Sequence, residues 1–126
     1  MTKTIVKPSQ ASTPGGPYSH GVRVGDLLFC AGQIPLVPES GHLIAGDIRA
    51  ETQRVLENIG IILQDQGLSF KNVVKTTVYL TNLADFASMN ETYERFFVRD
   101  FPARTTIQVA ALPRGAAIEI EAIAHY

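Results

Sequence analysis

The chain has a single cysteine, Cys30, so no disulfide can form within it, and a lone thiol fits a reducing cytosol. Charge is scarce and nearly balanced. Charged residues make up 18% of the sequence and the formal net charge is −1, which provides no bulk attraction to nucleic acid or to an anionic membrane. Histidine is limited to His20, His42 and His125, too far apart for metal-ligand spacing, so no metal is expected. A phosphate-cradling glycine loop is also missing. Gly15-Gly16 is too short and no helix follows it, so no phosphate-cradling site is expected. No apolar run is long enough to span a bilayer, and Met1 to Pro8 lacks the apolar stretch of a signal peptide. No membrane association and a cytoplasmic location are therefore expected. So few charges are a sparse covering for a fully wet surface, which points to part of it meeting another subunit.

What remains is ordinary material for one soluble domain, residues 1–126, with a hydrophobic fraction of 45%. Thr4 to Lys7 reads as a short strand, and Pro8 to Pro17 as turn-rich chain without periodicity. Val22-Arg-Val24 and Leu27 to Ala31 read as strands joined by a tight turn at Gly25-Asp26. Pro35 to Gly46 is loop. Asp47 then caps a helix whose stripe is Ile48, Thr52, Val55, Ile59, Ile62 and Gln66, widened by Leu56 and Leu63 and ended by Gly67. Val73 to Leu80 is a strand. Asn82 or Asp85 opens a second helix with the stripe Phe86, Met89, Tyr93 and Phe96, stopped by Asp100-Phe-Pro102. The order is β-β-β-α-β-α-β-β, an α+β fold with both helices on one face of a mixed sheet. The other sheet face needs a different cover, and copies of the same chain are the simplest one.

The last two strands carry the most chemistry. Both flanks of Leu112-Pro-Arg-Gly115 alternate with period two and read as an antiparallel hairpin. Ile107, Val109 and Ala111 on one side, and Ile118, Ile120, Ala122 and Ala124 on the other, form a shared apolar face in that register. The opposite face then gathers Arg104, Thr106 and Gln108 beside Glu119 and Glu121. From residues alone, Arg104 is either a ligand for an anion or a plain ion-pair partner of Glu119 or Glu121. Cys30 reads as a small core residue rather than a nucleophile.

Gly16-Pro-Tyr-Ser-His-Gly21, Ala31-Gly-Gln-Ile-Pro35, Val74-Lys-Thr-Thr-Val-Tyr79, Met89-Asn-Glu-Thr-Tyr93, Phe101-Pro-Ala-Arg104 and Ile118-Glu-Ile-Glu-Ala-Ile-Ala124 together resemble the RidA/YjgF family of reactive intermediate imine deaminases. The resemblance runs nearly end to end in the same order. It implies a chorismate-mutase-like fold and a homotrimer with sites in the clefts between subunits. The implied activity is cofactor-free hydrolysis of small 2-imino acids and their enamine tautomers, such as 2-aminoacrylate and 2-aminocrotonate, to 2-keto acids and ammonia.

By the same resemblance, Arg104 binds the substrate carboxylate and Glu119 positions or activates the water. Tyr18 lies over the cleft, the backbone at Gly32 approaches the carboxylate, and Asn90 reaches into a partner's cleft. Thr106 contributes a backbone carbonyl where many family members carry cysteine, and Ala31 stands where some carry serine. The residues by themselves leave Tyr18 open as a loop anchor, Asn90 as a solvated helix residue, and Glu119 no different from Glu121. Alternative readings are an endoribonuclease or translation inhibitor, which needs a basic groove and stacking aromatics that the charge disfavours, and a non-catalytic small-acid-binding or chaperone-like module. Glu119 beside Arg104 favours turnover, because a binder needs only the arginine. Chorismate mutase, which shares the implied fold, calls for more cationic anchors than Arg104.

Overall fold

The computed structural model describes residues 2–126. Six strands form one sheet: β1 (Lys3–Val6), β2 (Gly21–Val24), β3 (Leu27–Gln33), β4 (Val73–Leu80), β5 (Ala103–Gln108) and β6 (Ile118–His125), in the order β1-β2-β3-β6-β4-β5. Two helices, α1 (Ile48–Asp65) and α2 (Phe86–Phe97), are interleaved as the sequence predicts. Asp47 caps α1 by accepting a hydrogen bond from the Ala50 amide at 3.0 Å. Gly67, at φ 72, takes the left-handed angle that favours glycine just beyond the C-terminus. Asn82 caps a short 3-10 turn, Leu83–Asp85, that leads into α2. That helix ends at Phe97, earlier than Asp100, where Val98 turns into positive φ.

The helices share one face of the sheet. Val55, Leu56, Ile59, Ile62 and Leu63 of α1 pack with Leu28, Val78, Leu80, Ile118 and Ile120 of the strands, and Met89, Tyr93 and Phe97 of α2 close the layer. Cys30 is buried in this core, and burial pushes its thiol up to about 12, so it is an inert packing residue. No helix covers the opposite face. Leu27, Phe29 and Ile107 remain more than two-fifths exposed there.

The terminal hairpin is corrected by this topology. β5 and β6 are not neighbours. β4 lies between them, antiparallel to β6 and parallel to β5. The β4–α2–β5 crossover accounts for the parallel pair, since a helix joining two strands returns the chain in the same direction. The chain then passes the end of β4, where the Val109 amide donates to Leu80 and the Thr81 amide to Ala117. Register follows. Thr76 pairs with both Arg104 and Ala122, which puts Arg104 on the helix side of the sheet. Tyr79 pairs with Glu119 and Thr77 with Glu121, which puts both carboxylates on the open side. Arg104, Thr106 and Gln108 therefore do not share a face with Glu119 and Glu121. Ile107 points away from the core that Ile118 and Ile120 build. Period-two alternation fixes which residues of one strand share a side, but an edge strand such as β5 has no second buried neighbour to say which side is the core.

Candidate functional site

Arg104 stands on edge strand β5, and its side chain lies across α2. The guanidinium carbon is 4.8 Å from the centre of the Tyr93 ring and 5.4 Å from that of Phe86, and Nη1 is 3.9 Å from the Met89 sulfur. These positions, spaced along one stripe of α2, give the cation two π faces and a soft acceptor. Among the described residues no carboxylate pairs with it: the ion pairs are Arg49–Glu91 and Arg54–Glu57. The ion-pair reading of Arg104 therefore fails within the protomer. A cation with aromatic neighbours and no counter-ion is set up to receive an anion.

The space for that anion is a shallow cavity of about 290 Å³ lined by Asn90, Tyr93, Glu94, Phe101, Pro102 and Arg104. Oδ1 of Asn90 is buried there without a hydrogen-bond partner. A buried acceptor left unpaired costs on the order of 1–3 kcal/mol unless a donor arrives. Tyr93 is held in place because its hydroxyl meets Thr76 Oγ1 at 2.6 Å. Burial raises its phenol, while Thr76 and then Arg104 oppose that shift. Thr106 sits two residues beyond Arg104 on the same side of β5, opposite Val78, but outside the lining of this cavity.

The other expected residues gather across the sheet. Glu119 lies on the open face against β3, and a Cβ built at Gly32 would overlap its Oε2 and come within 2.9 Å of its Cδ. Only glycine leaves that carboxylate its place. Burial, and then repulsion from Glu121, raises the Glu119 carboxyl above its ordinary range. Glu121 itself accepts a 2.9 Å hydrogen bond from the Tyr79 hydroxyl. A cavity of about 700 Å³ opens beside Gly32, with Tyr18, His20, Gln33, Ile34 and Arg114 in its walls. Tyr18 is half exposed and its hydroxyl accepts from the Gly15 amide at 3.2 Å, so the loop anchors the ring at its rim.

Arg104 and Asn90 share the helix-side cavity. Tyr18 and Gly32 share the larger one, while Glu119 lies against Gly32 but outside that cavity's lining. Arg104 and Glu119 are on opposite sides of the sheet. The seat of Arg104 was hidden in the sequence because Phe86, Met89 and Tyr93 read as core. Phe86 is in fact 41% exposed, and the buried polar member of the helix is Thr92. A further concavity between Phe70 and the α2 C-terminus contains none of these residues. Among the described residues no group of three or more His, Cys, Asp or Glu is placed to hold a metal ion, and no helix is long and apolar enough to cross a membrane.

The chain is similar to known proteins over nearly its whole length. The family described as Endoribonuclease L-PSP matches residues 8–126. A RutC family protein of Pyrococcus abyssi is 48% identical over 125 residues, 99% of this chain and 98% of its own length. The human protein named 2-iminobutanoate/2-iminopropanoate deaminase is 48% identical over 118 residues, 92% of this chain and 86% of its own. Escherichia coli TdcF, solved with bound serine, superposes with a TM-score of 0.93 at 40% identity, covering 98% of each chain.

Proposed function

The chain belongs to the endoribonuclease L-PSP family, the RidA/YjgF proteins, and on that premise we propose that it is a cofactor-free deaminase hydrolysing small 2-imino acids and their enamine tautomers. The observation that carries the reading is the guanidinium of Arg104, without a carboxylate partner among the described residues, in a cavity it shares with Asn90. A small planar carboxylate satisfies that cation. Charge-assisted hydrogen bonds contribute roughly 1.5–3 kcal/mol each, so a bidentate grip supplies much of the affinity of so small a guest.

Water adds to the imine carbon to give a carbinolamine, one water proton passing to the nitrogen. Collapse then expels ammonia and leaves the 2-keto acid. Glu119 is suited to take and return that proton, because its carboxyl is already raised toward the working range. General acid–base help of this kind is worth about a hundredfold to ten-thousandfold in rate.

In this reading a complete site needs a second protomer. Arg104 and Glu119 lie on opposite sides of one sheet, and Leu27, Phe29 and Ile107 on the open face are left without an internal cover. A homotrimer that packs open faces inward and sets the Arg104 edge of one protomer against the Glu119 cleft of the next satisfies both. The human and mouse relatives carry deaminase names, which supports the reaction class; the one-carbon and two-carbon side chains in those names are a proposal for this chain.

The test is ammonia release from 2-aminoacrylate generated by a serine dehydratase. The wild-type protein is expected to speed it, and Arg104→Ala to lose that effect with its sedimentation unchanged. Wild-type turnover in Arg104→Ala would remove the mechanism.

A further inference from the structure

We propose that His20 and Gln33, a buried polar pair outside the reacting set, are positioning residues that hold the β3 bulge under Glu119 and the Tyr18 loop beside it. The proposal rests on the deaminase reading for its kinetic consequence, and on geometry for the rest. His20 and Gln33 are only 7% and 8% exposed. Buried polar groups destabilise a fold unless they are hydrogen-bonded, and both imidazole nitrogens and the Gln33 side-chain nitrogen have partners.

His20 Nε2 lies 2.6 Å from the Ser12 carbonyl oxygen, so that nitrogen carries the proton and donates. Nδ1 is then left as an acceptor, and it faces the Gln33 side-chain amide nitrogen at 3.4 Å. The same Gln33 nitrogen donates to the Ala31 carbonyl at 3.1 Å. The Ala31 amide in turn donates to the His20 carbonyl at 2.8 Å. One chain of contacts thus runs from the aperiodic loop at Ser12, through the imidazole, to the backbone of Ala31.

Ala31 is where β3 departs from regular pairing. Cys30 pairs with Ala122 and Gln33 with Ile120, so three steps on β3 face two on β6. This bulge presents Gly32 to the Glu119 carboxylate with no room for a Cβ. Gln33 ties down the carbonyl at the bulge, and His20 ties the same point to the loop that carries Tyr18. Arg104 is remote from the pair, on β5, three strands along the sheet from β3. Loss of the pair therefore displaces the proton-handling carboxylate without touching the anion grip. A misplacement near 1 Å costs on the order of a hundredfold in rate.

Gln33→Leu and His20→Leu remove the polar links while keeping bulk, and His20→Gln keeps a donor within reach of Ser12. In the dehydratase-coupled assay both leucine variants are expected to lower kcat by about 10- to 100-fold with KM near wild type, and His20→Gln to recover most of kcat. Amide hydrogen exchange should quicken in residues 8–18 and at Ala31 in the leucine variants, and should be restored in His20→Gln. If Gln33→Leu does not fold, Gln33→Asn shortens the reach by one methylene and is expected to shift kcat and exchange the same way. Unaltered exchange with kcat within about twofold of wild type, or a loss confined to KM, would overturn the proposal. A wild-type protein without turnover would instead remove the deaminase reading, and exchange alone would still decide whether the pair holds the loop and the bulge.

Discussion

Arg104 and Glu119 acquire their character from opposite surroundings. The arginine is cradled by Tyr93, Phe86 and Met89 and lacks a counter-charge, so its surroundings select an anionic guest. The glutamate is pressed against Gly32 with Glu121 two residues along the strand, so burial and then repulsion favour its protonated form. The sign of that shift makes a prediction. A carboxyl raised in the folded state contributes stability that is fully present below its unfolded value and is lost as pH rises through the folded value. Ionised Glu119 therefore weakens the fold at neutral pH. Glu119→Gln, which stays neutral, should flatten the dependence of Tm on pH above the ordinary carboxylate range, and be no less stable than wild type at pH 7 while lacking turnover. A Gln variant that keeps the wild-type slope would contradict the assignment. At this scale the sequence named Arg104 and Glu119, and the structure places them on opposite sides of the sheet. The sequence did not show that Asn90 buries an unpaired oxygen, because an asparagine beside a helical stripe reads the same whether or not a donor is near.

At the scale of elements, the helices were legible because their signals are local. Asp47, the stripe from Ile48 to Leu63, and Gly67 sit within a few turns of one another and need no tertiary knowledge. The partners of β5 were not legible. Alternation in Ala103–Gln108 states a period, but which strand lies alongside depends on where α2 returns the chain, and α2 returns it to the far side of β4. That single exchange of neighbours moved Arg104 to the helix side, away from the face of Glu119. The contact holding α2 to β4 is the bond between Tyr93 and Thr76, 2.6 Å in a buried setting. Tyr93→Phe keeps the ring under Arg104 but strands the Thr76 hydroxyl, at a cost of about 1–3 kcal/mol. Chemical denaturation at fixed protein concentration should show that loss with KM little changed. A variant as stable as wild type would mean that Thr76 finds another partner.

At the scale of the whole molecule, the sheet presents one face to two helices and leaves the other with Leu27, Phe29 and Ile107 substantially bare. Scarce charge in the sequence pointed to such a surface, though composition alone could not say where it lies. If copies of the chain cover it, a charge at its centre should separate them without unfolding the protomer. Phe29→Asp is expected to sediment as a monomer with a wild-type far-ultraviolet spectrum and to lose turnover, because the proposed site spans two protomers. A stable trimer in Phe29→Asp would show that the open face is not the contact.

The division of the site is tested most directly by mixing two dead variants. Arg104→Ala and Glu119→Ala are each expected to be inactive alone. Co-expressed in equal amounts, variants of the proposed trimer combine an intact Arg104 from one protomer with an intact Glu119 from its neighbour in one cleft of each mixed trimer, about one cleft in four of the whole population. The predicted result is recovery of roughly that fraction of wild-type ammonia release. Mixed trimers, verified by mass, that remain as inactive as either parent would contradict a site shared between protomers.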